Sequence, residues 1–407
     1  MSIGWIRPLT VGLALLAPAA PAIAGVIIVD PNGFGDFTTI QAAIDAAADG
    51  DIVVVRPVSG CCDTASIVGK SLTLVADVGP GEHTARLDLE IIGVPAGGQV
   101  VVRGFHAPTT SSIDTGALLV QDCEGSVWIE DCEFKGDSGM FSVREIGAEI
   151  RNSPSVSFTR CTIAGTVGVN GNPSFPPFPG TPGAGGALIV DSAVAFHDCS
   201  LTAGGGGGST FFGGEDGGHG VELANSAALL SGCTVVGGYA GFGGGGATGG
   251  DGLLLDATST ADVLDTTITG GGTGGIDIDA PPDAVHMLSG SERSMMIPGP
   301  KREGQGGLMV VSGALGDVVG FFWSLRGAAL PVLGKNGWFL LDPSLLAGPF
   351  GLGVITSPDG VWNILFSTPS LPAALEGLTF LVQPYFSYPG GVTLGGGTAF
   401  VVLDIGL

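Results

Sequence analysis

Positive charge is scarce in this chain. Its 407 residues include 14 Lys and Arg against 38 Asp and Glu, for a formal net charge of -24. Phosphate backbones are held by clustered Lys and Arg, so no nucleic-acid partner is expected. Long apolar runs are also lacking: after residue 24 none reaches the roughly 18 residues of a membrane span. The C-terminal VVLDIGL carries no anchoring tail. No strict three-residue glycine period exists, which excludes collagen, and a hydrophobic content of 44% excludes general disorder. Tetrahedral zinc needs two paired ligand clusters, and that spacing is missing too.

Glycine, by contrast, is abundant, with 74 residues beside 26 Pro. Each Gly inside a helix costs about 0.5 to 1 kcal/mol, so the excess points to a fold dense in turns and loops. Residues 1–24 carry one basic residue, Arg7, then an apolar stretch, then Ala22-Ile23-Ala24 before Gly25. This is the pattern of a secretory signal cleaved at a small-x-small site. The mature chain is therefore expected to be secreted or at the cell surface, with no transmembrane segment after cleavage.

A repeat occupies residues 116–271. Five segments align without gaps on Cys132, Cys161, Cys199, Cys233 and Thr266, spaced 29, 38, 34 and 33 residues apart. A constant core with variable loops is the behaviour of stacked coils. Five positions before the anchor stand Val127, Val156, Val194, Ala228 and Ala261, and three before it Ile129, Phe158, Phe196, Leu230 and Val263. Two after it come Phe134, Ile163, Leu201, Val235 and Ile268. These three columns are expected to point inward. The alternate columns, Trp128, Ser157, Ala195, Leu229, Asp262 and Glu130, Thr159, His197, Ser231, Leu264, are mixed and expected to face solvent. The step of three residues from the second ladder to the anchor implies a bend.

The best copy, Val127-Trp128-Ile129-Glu130-Asp131-Cys132-Glu133-Phe134-Lys135-Gly136, resembles the repeat of right-handed parallel β-helices of the pectate-lyase-like superfamily. Residues 27–55 are similar to the N-terminal cap of that family. Thr38 or Thr39 would cap a helix whose Ile40 and Ile44 cover the open end of the stack. The resemblance covers residues 25–280 and implies fold without fixing activity.

Seven cysteines, an odd number, leave at least one unpaired. Equivalent residues of stacked coils lie about 4.8 Å apart with parallel side chains, a poor fit to a disulfide. Cys132, Cys161, Cys199 and Cys233 are therefore read as a buried thiol ladder, and adjacent Cys61 and Cys62 as the better pairing candidates.

Three glycine-rich insertions, residues 167–186, 203–220 and 237–252, leave the same corner of successive coils and are expected to lie together as a layer. They carry Phe175, Phe178, Phe211, Phe212, Tyr239 and Phe242, which suit either sugar stacking or packing of the loops onto the solenoid. Trp128, Phe211, Phe212, Tyr239 and Phe242 are the ligand-binding candidates. Glu215, Asp216 and Asp251, near His219, resemble calcium-binding glycine repeats, but the nonapeptide does not recur. Calcium takes six to eight oxygens and each loop offers one or two carboxylates, so no cofactor is expected, with calcium the ion these acids would suit. Catalytic candidates on the outward columns are Glu130, His197, Asp198 and Asp262, with Asp131 and Asp265 beside them. Two carboxylates two coils apart would suit glycoside hydrolysis. The Asp, Gln and Arg motifs of the pectin-esterase relatives have no counterpart; Gln121-Asp122 lacks the expected neighbours.

Residues 281–305 break the repeat and read as a linker. Residues 306–407 then hold seven short apolar segments separated by turns, the pattern of a β-sandwich, with Trp323, Trp338 and Trp362 as its core. Residues 330–346 and 375–386 are similar to C-terminal modules of secreted bacterial proteins, which implies a role in surface attachment or secretion. The expectation is an all-β protein, a right-handed parallel β-helix followed by a small β-sandwich. It would act without catalysis in surface attachment or polysaccharide binding; the alternative is a polysaccharide lyase or glycoside hydrolase.

Overall fold

The repeat columns become hydrogen-bonded ladders. The computed structural model describes residues 24–57, 63–77, 87–106, 118–136, 145–171, 179–209, 213–243, 246–332, 335–368 and 379–404. Residues 1–23, Cys61, Cys62, Phe175, Phe178, Phe211 and Phe212 lie outside them. Three parallel sheets wind around one core. A ten-stranded sheet runs from Val26–Val29 to Val285–Leu288, an eight-stranded sheet from Asp63–Val68 to Ile278–Asp279, and a five-stranded sheet from Glu133–Lys135 to Thr267–Thr269. The register is the one expected: Val156 pairs with Val127 and Val194, Phe158 with Ile129 and Phe196. These side chains are buried, and the Phe158 and Phe196 rings stack at 4.9 Å. The architecture is a parallel β-helix. Thr39 caps the helix Ile40–Ala46, accepting from the Ala42 amide, and Ile40 and Ile44 are buried against the first coil.

The bend before the anchor has a backbone cause. Asp131, Arg160, Asp198, Gly232 and Asp265 all adopt left-handed φ between 46° and 65°. Asp tolerates this conformation better than most side chains. A second left-handed corner precedes four successive strands of the ten-stranded sheet, at Asp122, Asn152, Asp191 and Asn225. The residues after it form a ladder of their own. The amide of Cys123 donates to Ser153 Oγ at 3.3 Å, Ser153 to Ser192 at 3.0 Å, Ser192 to Ser226 at 3.1 Å and Ser226 to Ser259 at 3.0 Å. One coil is thus tied to the next through side chains as well as through sheet bonds.

Cys132, Cys161, Cys199 and Cys233 are free and buried, as is Cys123. The Cys161 amide donates to Cys199 Sγ at 3.4 Å, and Thr266 takes the Cys233 amide at 3.1 Å, continuing the ladder. Burial pushes the thiols of Cys132, Cys161 and Cys199 well above the usual range. All five should resist a thiol reagent in the native protein and react in denaturant, as counted by intact mass. Native labelling of any of them would contradict the buried ladder.

The C-terminal segment forms two facing sheets and a separate antiparallel pair, Gly327–Pro331 with Trp338–Leu341. One facing sheet contains Ser294–Met296, Gly306–Ser312 and Val361–Ser367. The other contains Lys301–Arg302, Thr398–Leu403, Thr379–Tyr388, Val318–Ser324 and Ala347–Val354, with Gly391–Leu394 paired to Thr379–Tyr388. Pairing is antiparallel except between Lys301–Arg302 and Thr398–Leu403. Met295, Val311, Val319, Ile355 and Phe386 fill the space between them. Residues 281–305 do not form a free linker. Val285–Leu288 is the last strand of the ten-stranded sheet and Ser294–Met296 pairs within the sandwich, so five residues join the two units.

Candidate functional site

The sandwich is docked on the outer face of the ten-stranded sheet. Val101, Trp128, Ala195 and Leu229 pack there against Ala329, Trp338, Leu340, Leu381 and Ala399. Nearer the cap, Ile52, Val54 and Val75 meet Val401 and Leu403, and Thr73 Oγ1 bonds Thr379 Oγ1 at 2.7 Å. The expectation that the mixed columns face solvent is therefore corrected: they are mixed because a second unit covers them. Trp128 is 1% exposed and belongs to this interface, where no sugar can reach it. Trp338, assigned to the sandwich core, is also an interface residue, while Trp323 and Trp362 do pack on that core.

The catalytic candidates fall into separate parts of the same interface. Glu130 is wholly buried and accepts from Trp128 Nε1 at 3.1 Å, Thr398 Oγ1 at 2.6 Å and the Ala399 amide at 2.5 Å. Arg103 approaches it at 3.2 Å and Arg160 closes the cluster. Burial would raise the neighbouring Asp131 carboxyl, but the Arg160 and Arg103 guanidiniums hold it below its ordinary range. His197, also fully buried, places Nδ1 3.2 Å from Glu292, which further accepts from Ser231. Burial and the Glu292 charge raise Asp198. Asp262 is bound by Trp338 Nε1 at 2.7 Å and His286 Nδ1 at 3.0 Å. The four do not share an open groove. Their chemistry here is that of an electrostatic joint between two units.

An open acidic face lies instead on the eight-stranded sheet, outside the columns that flank the cysteines. Its outward column reads Ser66, Glu90, Leu119, Glu149, Leu188, Glu222, Leu254 and Asp279 across paired strands. Acid and leucine alternate from Glu90 to Asp279. At the cap end, Gln41, Asp88, Glu90, Leu119 and Glu149 line a cleft of about 600 Å³. Glu149 is paired with Arg151.

The glycine insertions form the most unusual surface. Each leaves the five-stranded sheet on an outgoing leg (165–171, 203–209, 237–243) and comes back on a returning leg (179–186, 213–220, 246–252). Amide bonds zigzag between the legs: Ala184 to Thr166, Gly204 to Ala184, Gly218 to Gly204, Gly238 to Gly218, Gly250 to Gly238 and Gly271 to Gly250, all between 2.8 and 3.0 Å. Like legs also bond each other, Gly206 to the Tyr239 carbonyl and Gly217 to that of Thr248. The expected layer is thus a double one, a fin of hydrogen-bonded backbone. A Cβ at Gly204, Gly238 or Gly250 would overlap a carbonyl oxygen of the like leg one coil earlier. The two large side chains of one outgoing leg, Tyr239 and Phe242, stand three residues apart, one turn of a polyproline II helix.

The two faces of the fin differ. On the returning face, Asp216 accepts from the Thr248 amide at 2.7 Å and hydroxyl at 3.2 Å, and Asp251 accepts from the Ile276 amide at 2.9 Å and lies 3.3 Å from His219 Nδ1. Asp216 and Asp251 therefore serve the backbone of neighbouring legs; Glu215 precedes Asp216 on the same leg. Among the described residues no group of three or more His, Cys, Asp or Glu is arranged to hold a metal ion. On the outgoing face, Tyr239 and Phe242 are 67% and 64% exposed. A Cβ at Gly208 would land on the face of the Phe242 ring, so glycine there lets the ring lie down with its other side open. Tyr239 sets a ring edge against Gly272. These rings do not pack the loops onto the solenoid. The same face continues over the five-stranded sheet through Thr162, Ser200, Thr234, Thr267 and Ala164, Thr202, Val236, Thr269. Compared with protein-family models, curated proteins and solved structures, the chain matches none.

Proposed function

We propose that the protein is a secreted or cell-surface, non-catalytic relative of the pectate-lyase-like superfamily that binds polysaccharide on the outgoing face of the glycine fin. The carrying observation is the pair Tyr239 and Phe242, largely exposed and seated on a floor that has no side chains of its own. An aromatic ring supported on one side by backbone offers its free face to the C–H side of a sugar at little entropic expense. The sandwich fits an attachment module of secreted bacterial proteins, here fused to the solenoid wall. A lyase or hydrolase reading finds its support in the acidic cleft, because Glu90 and Glu149 sit two coils, about 9.6 Å, apart.

Co-sedimentation with insoluble polysaccharides tests the proposal. Tyr239→Ala and Phe242→Ala should each weaken binding about tenfold, equivalent to about 1.4 kcal/mol. The urea midpoint should stay unchanged, since both rings are exposed. Binding that ignores both substitutions would refute the site, and release of reducing or unsaturated sugar would refute the non-catalytic assignment.

A further inference from the structure

We infer that the ligand of this face is an electrically neutral, ribbon-like glycan, held by stacking and hydroxyl contacts without any ion pair. The inference rests on the glycan-binding reading above and adds the class of polymer. Its first support is electrostatic. In a chain of net charge -24, the outgoing face from Thr162 to Phe242 shows hydroxyls, methyls, amide and rings but no charge, apart from Glu133 and Lys135, which pair with each other at its first strand. The carboxylates are elsewhere, on the returning face at Asp216 and Asp251 and on the eight-stranded sheet at Glu90, Glu149 and Glu222. An acidic polymer would approach a strongly acidic protein with no Lys or Arg to receive it on the fin. A cationic polymer would find its counter-charges on those other faces.

Geometry supplies the second support. Tyr239 and Phe242 are three residues apart on one leg, about 9 Å along an extended leg at roughly 3.1 Å per residue, with their rings leaning to opposite neighbouring coils, Phe242 over Gly208 and Tyr239 against Gly272. That is close to two pyranose units end to end, the repeat after which a flat ribbon presents the same sugar face again. The row holding both rings starts with the hydroxyl of Thr234 and the methyls of Val236. The preceding coil, about 4.8 Å away, offers the hydroxyls of Ser200 and Thr202, then bare Gly205, and Gly208 under the Phe242 ring. Among the described residues of legs 203–209 and 237–243, no other side chain is larger than serine, so a ribbon running obliquely can lie across both rings. Legs bonded on several sides hold this surface fixed before the ligand arrives, which limits the ordering cost of binding.

The test uses the full chain with regenerated cellulose as a neutral β-linked ribbon, chitosan as a cationic polymer, and polygalacturonate with and without calcium as an acidic one. Cellulose should be bound with less than a twofold change between low and high salt, and the double substitution Tyr239→Ala/Phe242→Ala should lower that affinity by about a hundredfold if the two rings act independently. Salt-sensitive binding to chitosan or polygalacturonate that also depends on the two rings would overturn the neutral assignment while leaving the glycan site standing. Binding to none of the polymers, or binding that the double variant leaves intact, would overturn both. The salt dependence of the unaltered protein decides the question of charge even if the variant is poorly folded.

Discussion

Glu130→Ala is expected to remove about 3–5 kcal/mol of stability, the loss typical when one partner of a buried ion pair is deleted. Glu130 accepts hydrogen bonds from Trp128, Thr398 and Ala399 and neutralises Arg103 and Arg160. Its removal leaves the Arg103 guanidinium buried, with Asp131 as its remaining carboxylate at 3.3 Å. Glu130→Gln keeps the volume and some bonds but not the charge, and should fall between. The damage should appear first as undocking of the sandwich, visible in urea as a change in tryptophan fluorescence, because Trp128 and Trp338 both lie in the joint. A urea midpoint within error of the parent protein would show that the sandwich does not rest on this face.

Gly204→Ala and Gly238→Ala should each cost about 1–3 kcal/mol, the usual range for overpacking a filled site. The added methyl would overlap the Thr166 carbonyl in the first and the Gly204 carbonyl in the second. Backbone is the obstacle, so no rotamer change relieves it. The hydrogen bonds that cross the fin at these residues would lengthen together, and Phe242 would lose its level seat. Gly306→Ala is the control: a Cβ there meets nothing within 4 Å, and its effect should lie within a few tenths of a kcal/mol. Thermal midpoints of the three variants decide the matter. Equal midpoints would mean that glycine in the fin is dispensable.

The interior of the solenoid was legible because its signal is local and repeated. Val127, Ile129 and Phe134 obey one spacing in every coil, and the three-residue step announced the left-handed corner at Asp131. The serine ladder was written as plainly, in Asn152-Ser153, Asp191-Ser192 and Asn225-Ser226, yet an alignment anchored on cysteine passes over it. What covers a column is a different kind of information. Thr398 reaches Glu130 from 268 residues away, and nothing in the repeat marks that contact beyond a tryptophan standing where solvent was expected. The glycine legs were placed at the right corner, but their cross-bonding joins separate insertions through backbone alone and leaves no side-chain pattern to read. The loop rings fared unevenly for the same reason. Tyr239 and Phe242 stand exposed because an insertion between coils is a local fact, whereas the burial of Trp128 depends on what lies above it.

The docking of the sandwich also sets an order of events for a growing polypeptide. Every coil has been made before the first covering residue exists, so during synthesis the wall bearing Val101, Trp128, Ala195 and Leu229 starts bare, and Glu130 lacks its Thr398 and Ala399 partners until their strand arrives. A chain cut short anywhere between the last coil and this strand keeps a sticky, half-charged flank. The arrival of this late strand is therefore registered at Glu130, on a surface laid down some 270 residues earlier.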